Sequence, residues 1–124
     1  MPIYSGKQKP LRWTSHAKAK MNFYRLSEQR VRRVLISPKR IETGIAPETI
    51  AMMQPVAVKW AMDNGERESG ENGKRREFWT QEIWVMVEED KKERKIISAW
   101  RYPGMTKPGE SLPDEILSEI RSEI

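Results

Sequence analysis

The strongest constraint on the fold lies between residues 78 and 101. In FWTQEIWVMV, residues 78–87, a two-residue period puts Ile83, Val85 and Val87 on one face and Glu82, Trp84 and Met86 on the other. This is the signature of a β-strand. Glu88 to Glu93 forms a charged turn, and Arg94 to Arg101 supplies a partner strand, with Ile97, Ala99 and Arg101 expected on one face. The pair predicts an antiparallel hairpin at the centre of a sheet, ended by Tyr102-Pro103-Gly104.

The first 38 residues follow a different period. Leu11-Arg12-Trp13-Thr14 alternates as a short strand. Thr14 or Ser15 then caps a helix with Ala17, Met21 and Tyr24 as its inward stripe and His16, Lys20 and Phe23 as a neighbouring row. A second helix starts at Ser27. Glu28 suits its positive end, and Leu26 and Val31 have the spacing of a hydrophobic staple. Val31, Val34 and Leu35 face inward, which turns Arg30, Arg32 and Arg33 to solvent. Ser37-Pro38 ends it, because the residue before proline disfavours the α region.

Arg40 to Thr43, Thr49 to Met53 and Val56 to Met62 are short β-compatible runs broken by Gly44, Pro47 and Pro55. Pro55 reads as a bulge or strand boundary. Asp63 to Arg76 is polar, has three glycines and reads as a long flexible loop. The expected organisation is one domain over 1–124: a basic arm at 1–10, a core at 11–103, and a loop with an acidic amphipathic helix at 104–124. That helix runs from Pro113 to Ile124, with Ile116, Leu117, Ile120 and Ile124 as its stripe. It can pack on its own domain, join two copies as an oligomer contact, or cover the basic face.

Charge is distributed unevenly. Residues 1–40 carry 11 bases and one acid, a net of +10, whereas residues 41–124 carry 12 bases and 17 acids, a net of −5. A polyanion partner accounts for this asymmetry, and so does a solvated basic helix face. The absence of cysteine excludes disulfides, thiol catalysis and thiolate metal sites within the chain. With His16 as the single histidine, the usual zinc ligand sets cannot be assembled, so no cofactor or metal is expected, although an ion held by carboxylates stays open. MPIYSGKQKP has no apolar signal region, and no apolar run suits a membrane span, so the expected compartment is the cytoplasm.

Two segments carry a family resemblance. SHAKAKMNFYRLSEQRVRRVL, residues 15–35, resembles the opening of small uncharacterised domains with a histidine-alanine pair followed by a basic residue and methionine. RKIISAWRYPG, residues 94–104, resembles the final strand of BrnT-type toxins. The families that these segments resemble belong to the broad RelE/ParE-like group. The resemblance implies an α+β fold of two N-terminal helices on a small antiparallel sheet, here with an extra C-terminal helix. It also implies metal-independent endoribonuclease activity restrained by an antitoxin. The pattern departs at one point: Trp100 stands between Ser98-Ala99 and Arg101, where the toxins have arginine directly.

The chemistry of the residues is compatible with that implication. Metal-free RNA cleavage uses the ribose 2′-OH as nucleophile and needs a base, a cation for the phosphorane and an acid for the leaving oxygen. His16 can act as base or acid, and Lys18, Lys20, Arg25 or Arg101 can hold the phosphate. Tyr102 can donate a proton or stack on a base, and Arg30, Arg32 and Arg33 can form a phosphate-contacting stripe. Each has a structural alternative: His16 as an exposed helix residue, Arg101 in a salt bridge with Glu77 or Glu82, and the helix arginines as a solvated face. Exposed Trp13, Trp60, Trp79, Trp84 or Trp100 can stack on unpaired bases, while a small domain places most of its tryptophans in the core. A non-catalytic nucleic-acid-binding module and a protein-interaction domain are the rival classes.

Overall fold

Thr14 is the hinge on which the N-terminal part is built. It ends strand β1 (Leu11–Trp13) and caps helix α1 (Ser15–Tyr24), its hydroxyl accepting from the Ala17 N–H at 3.1 Å and donating to the Ile96 carbonyl at 2.8 Å. One side chain thus satisfies a free helix donor and ties α1 to a strand more than 80 residues away. At the other end, Arg25 is left-handed (φ 57°), and the Leu26 N–H bonds the Met21 carbonyl at 2.8 Å. Met21 and Leu26 are both buried there, as a Schellman cap requires. Helix α2 (Glu28–Ile36) starts at Ser27, whose hydroxyl accepts from the Arg30 N–H at 3.0 Å, and ends at Ser37.

The computed structural model describes residues 9–43, 48–62, 75–107 and Asp114. Strands β2 (Arg40–Thr43), β3 (Thr49–Pro55), β6 (Glu82–Glu89) and β7 (Arg94–Tyr102) join β1 in a five-stranded sheet of order β1-β7-β6-β3-β2. Strands β4 (Lys59–Met62) and β5 (Arg75–Phe78) form a separate antiparallel pair. The protein is therefore α+β, with two N-terminal helices on a mixed sheet. The expected all-antiparallel sheet is corrected at one edge, where β1 runs parallel to β7. This follows from the route of the chain, which leaves β1 directly into α1 along the same face and cannot return as a hairpin. The central β6–β7 hairpin forms as expected.

Helices cover one face of the sheet. Ala17, Met21, Leu26, Val31, Val34 and Leu35 pack there against Met52, Ile83, Val85, Val87, Ile96 and Ala99. The opposite face buries Ala51, Met53, Trp84, Met86 and Trp100 with Trp79. Trp84 and Trp100 are cross-strand partners whose rings stack at 6.2 Å, worth about 0.5–1.5 kcal/mol beyond their buried area. A bulge between Met86 and Val87 shifts the register, so Ile96 opposes Val87 while Ser98 opposes Met86. Ile97 falls in this bulge and packs against the tryptophan face, not on the face of Ala99 and Arg101 as alternation predicted.

Two other expectations change. Arg75 and Arg76 are strand residues, not the end of a loop, and Glu88 and Glu89 extend β6. The last helix, residues 1–8 of the expected arm at 1–10 and residues 63–74 of the expected loop lie outside the described residues, Asp114 excepted.

Candidate functional site

One cross-strand row organises the helix-covered face at the end where α1 stops and α2 begins. Gln54 on β3 opposes Ile83 on β6, which opposes Arg101 on β7. Arg101 reaches α1 from below: its Nε donates to the Tyr24 carbonyl at 2.8 Å, one Nη to the Arg25 carbonyl at 3.3 Å, and the other to Gln81 Oε1 at 3.4 Å. These contacts complete the end of α1, where a cation is also favoured by the helix dipole. Gln54 does the same for α2, its Nε2 donating to the carbonyls of Ser37 at 3.0 Å and Arg33 at 3.4 Å. The Gln54 Oε1 accepts from Arg30, which also donates to the Pro55 carbonyl at 3.2 Å.

The result is a pair of guanidinium groups, Arg30 and Arg101, held by neutral oxygens, with Arg33 close enough for its charge to act on Arg30 and the Arg25 backbone bound to Arg101. Among the described residues no carboxylate lies within ion-pair distance of Arg25, Arg30, Arg33 or Arg101. Cations elsewhere do have such partners, including Lys9 and Arg94 with Glu89, Arg12 with Glu93, and Lys39 with Glu77. The electrostatic consequence falls on Arg30. Burial, then the charges of Arg33 and Arg101, push its guanidinium below the usual arginine range. Its place near the positive end of α2 adds to the mismatch. Arg25 occupies a left-handed position normally given to glycine, so a cation stands there despite a backbone cost.

The catalytic candidates do not meet. His16 lies in the first turn of α1 and Arg101 binds its last carbonyls, about 12 Å further along the helix axis at 1.5 Å per residue. Tyr102 faces the tryptophan side of the sheet, its ring folded against Gly104, where a Cβ would come within 2.6 Å of the ring. Lys18 is exposed, Lys20 lies over the Tyr24 ring at 5.4 Å, and Arg32 lies over Trp13 at 5.5 Å, away from the cluster core. Arg101 pairs with neither Glu77 nor Glu82. Glu77 bonds Lys39, and Glu82 turns to the opposite face. Of the tryptophans, Trp79, Trp84 and Trp100 are buried, Trp13 is half-buried, and Trp60 is 53% exposed.

Glu82 is the largest surprise relative to the sequence. It is fully buried, and its carboxylate accepts from Trp79 Nε1 (2.8 Å), Trp84 Nε1 (2.9 Å), the Thr106 N–H (2.7 Å) and the Thr106 hydroxyl (2.9 Å). This network pins residues 103–107 to the sheet and forms one wall of a pocket. Its sequence signal was an acid between two tryptophans whose indoles each need an acceptor. Gln54 and Gln81 were missed as well; the signal at Gln54 was a polar residue beside a strand-ending proline.

Among the described residues no group of three or more His, Asp or Glu is arranged to hold a metal, and no helix is long and apolar enough to cross a membrane. Comparisons with protein-family profiles, curated sequences and solved structures find no match.

Proposed function

We propose that the protein binds single-stranded RNA, holding its phosphates at the arginine cluster. The observation that carries this reading is the approach of Arg33 and Arg101 to Arg30, with Arg25 tied to Arg101 through its backbone carbonyl and no carboxylate in reach of the four among the described residues. A phosphate there replaces neutral oxygens with the countercharge that the cluster lacks. Two exposed aromatic rings support single strands over duplex. Phe23, 75% exposed, lies in the last turn of α1, two residues from Arg25. Trp60 lies on the β4–β5 hairpin, which leaves the sheet at Pro55, the carbonyl bound by Arg30, and returns near Gln81, the amide bound by Arg101. Five residues from Pro55, it is at most about 17 Å away. Such rings stack on unpaired bases of any sequence.

The reading is of binding without cleavage, since His16, the candidate base, stands at the far end of α1 from the arginines to which the phosphates are assigned. The test is fluorescence anisotropy of a labelled RNA oligonucleotide across a salt series. Four phosphate contacts on a single strand give a log–log slope of about −0.7 × 4, or roughly −2.8. Affinity then falls about 50-fold between roughly 50 and 200 mM salt. Arg33→Gln flattens the slope by about 0.7. A slope no steeper than that of a single contact, or full affinity after Arg30 and Arg33 are both changed to Glu, defeats the proposal. RNA recovered as cut fragments in EDTA would restore the catalytic reading.

A further inference from the structure

The second feature of the molecule lies on the opposite face of the sheet and owes nothing to the arginine cluster. A pocket of about 270 Å³ is lined by Met53, Trp79, Met105 and Thr106, with Lys39, Arg40, Glu77 and Lys107. An apolar cavity of roughly 150 Å³ is enough for a benzene ring, so this space holds one aromatic ring and a small substituent. We propose that it binds a small aromatic monocarboxylate.

The argument for the ring begins with Trp79. Its indole N–H is fixed on the buried Glu82 carboxylate at 2.8 Å, so the side chain cannot rotate out of the wall. The same carboxylate fixes Thr106 at the neighbouring wall. Lys39 lies 5.7 Å over the Trp79 ring, which brings a ring face and an ammonium to the border of one space. Met53 and Met105 add polarisable, adaptable surface of the kind that packs on planar rings. A preformed apolar slot with a few fixed polar groups is the usual form of a small-molecule site.

The argument for a single negative charge comes from the cations. Lys39 is engaged by Glu77 at 2.6 Å, and buried Arg40 by Glu42 at 2.6 Å. Lys107 is exposed beside the pocket, and among the described residues no carboxylate is within ion-pair distance of it. One cation in excess calls for one anion, and a carboxylate at the mouth contacts Lys107 while the ring lies inside. A phosphate ester carries more charge than these pairs leave uncompensated.

The test uses benzoate and 4-methylbenzoate as probes, with benzyl alcohol, benzylamine and cyclohexanecarboxylate as controls. Binding is followed by the five tryptophan indole N–H signals in an NMR titration. The expected result is saturable binding of the aromatic carboxylates, with the shift concentrated on the Trp79 signal, and about tenfold weaker binding of each control. Lys107→Gln weakens the carboxylates about tenfold and leaves benzyl alcohol unchanged, the loss of one charge-assisted contact. Met105→Trp, on an exposed position, fills the pocket and abolishes binding while the unfolding midpoint stays as in the parent. The inference is overturned by equal affinity for benzyl alcohol and benzoate, by shifts that avoid Trp79, by undiminished binding in Met105→Trp, or by no saturation at millimolar probe. RNA affinity is unaffected by any of these results, so the two readings fail separately.

Discussion

Replacing Glu82 tests the buried network that shapes the tryptophan face. In Glu82→Gln one carboxylate oxygen becomes an NH₂ group, which cannot accept. The remaining oxygen can serve the Trp79 indole and the Thr106 N–H, and the Thr106 hydroxyl can rotate to accept from the new amide. The Trp84 N–H, now 2.9 Å from a donor, loses its partner. A buried orphaned donor costs about 1–3 kcal/mol, and the two surviving bonds fall from charge-assisted to neutral strength. The expected loss is therefore about 2–3 kcal/mol. Glu82→Leu orphans both indoles and the Thr106 N–H, three donors, and should cost about 3–5 kcal/mol, near the upper limit for single substitutions. Urea unfolding followed by tryptophan fluorescence measures both, and near-ultraviolet circular dichroism reports the ordering of Trp79 and Trp84. Removing a buried charge can be neutral when its partners are removed as well, but here the donors remain. A change below about 0.5 kcal/mol in Glu82→Gln, or equal losses for Gln and Leu, would refute the reasoning.

Further outcomes follow from the caps and the cluster. Thr14→Ala should cost more than Ser27→Ala, which loses about 1 kcal/mol, because Thr14 also bonds the Ile96 carbonyl; paired urea melts compare them. Arg101→Lys keeps the charge but not the planar fork that spans Tyr24, Arg25 and Gln81, and should lower stability by about 1–2 kcal/mol in the same assay. The Arg30 guanidinium is depressed in the folded state, so the penalty of keeping it charged is present at every pH below its folded value, neutral pH included, and is relieved only in strongly alkaline solution. An anion relieves it at neutral pH: pyrophosphate at tenfold excess over its Kd should raise Tm by roughly 3–6 °C, and a variant with Arg30 and Arg33 both changed to Gln should not respond.

Local structure was legible because local chemistry decides it. The Thr14 and Ser27 caps, the inward stripes of α1 and α2, the stop before Pro38 and the alternation through Ile83, Val85 and Val87 depend on neighbours within a few residues. Those signals were sufficient for two helices and a central hairpin. The bulge at Ile97 was not legible, because strict alternation has no term for an extra residue, and it moved Ile97 to the other face.

The candidate site depended on distant residues. The sequence by itself determined that basic side chains crowd the N-terminal helices and that α2 turns Arg32 and Arg33 outward; Arg30, expected beside them in solvent, is instead half-buried against Gln54 and Pro55, because the end of β3 offers it two acceptors. Only the tertiary structure decided that Arg101 comes near Arg30, that it lies at the opposite end of α1 from His16, and that Glu82 leaves solvent to bind Trp79, Trp84 and Thr106. The reason is strand pairing. Residues 54, 83 and 101 enter one row through registers set by whole strands, and no local pattern around any one of them specifies its neighbours across the sheet.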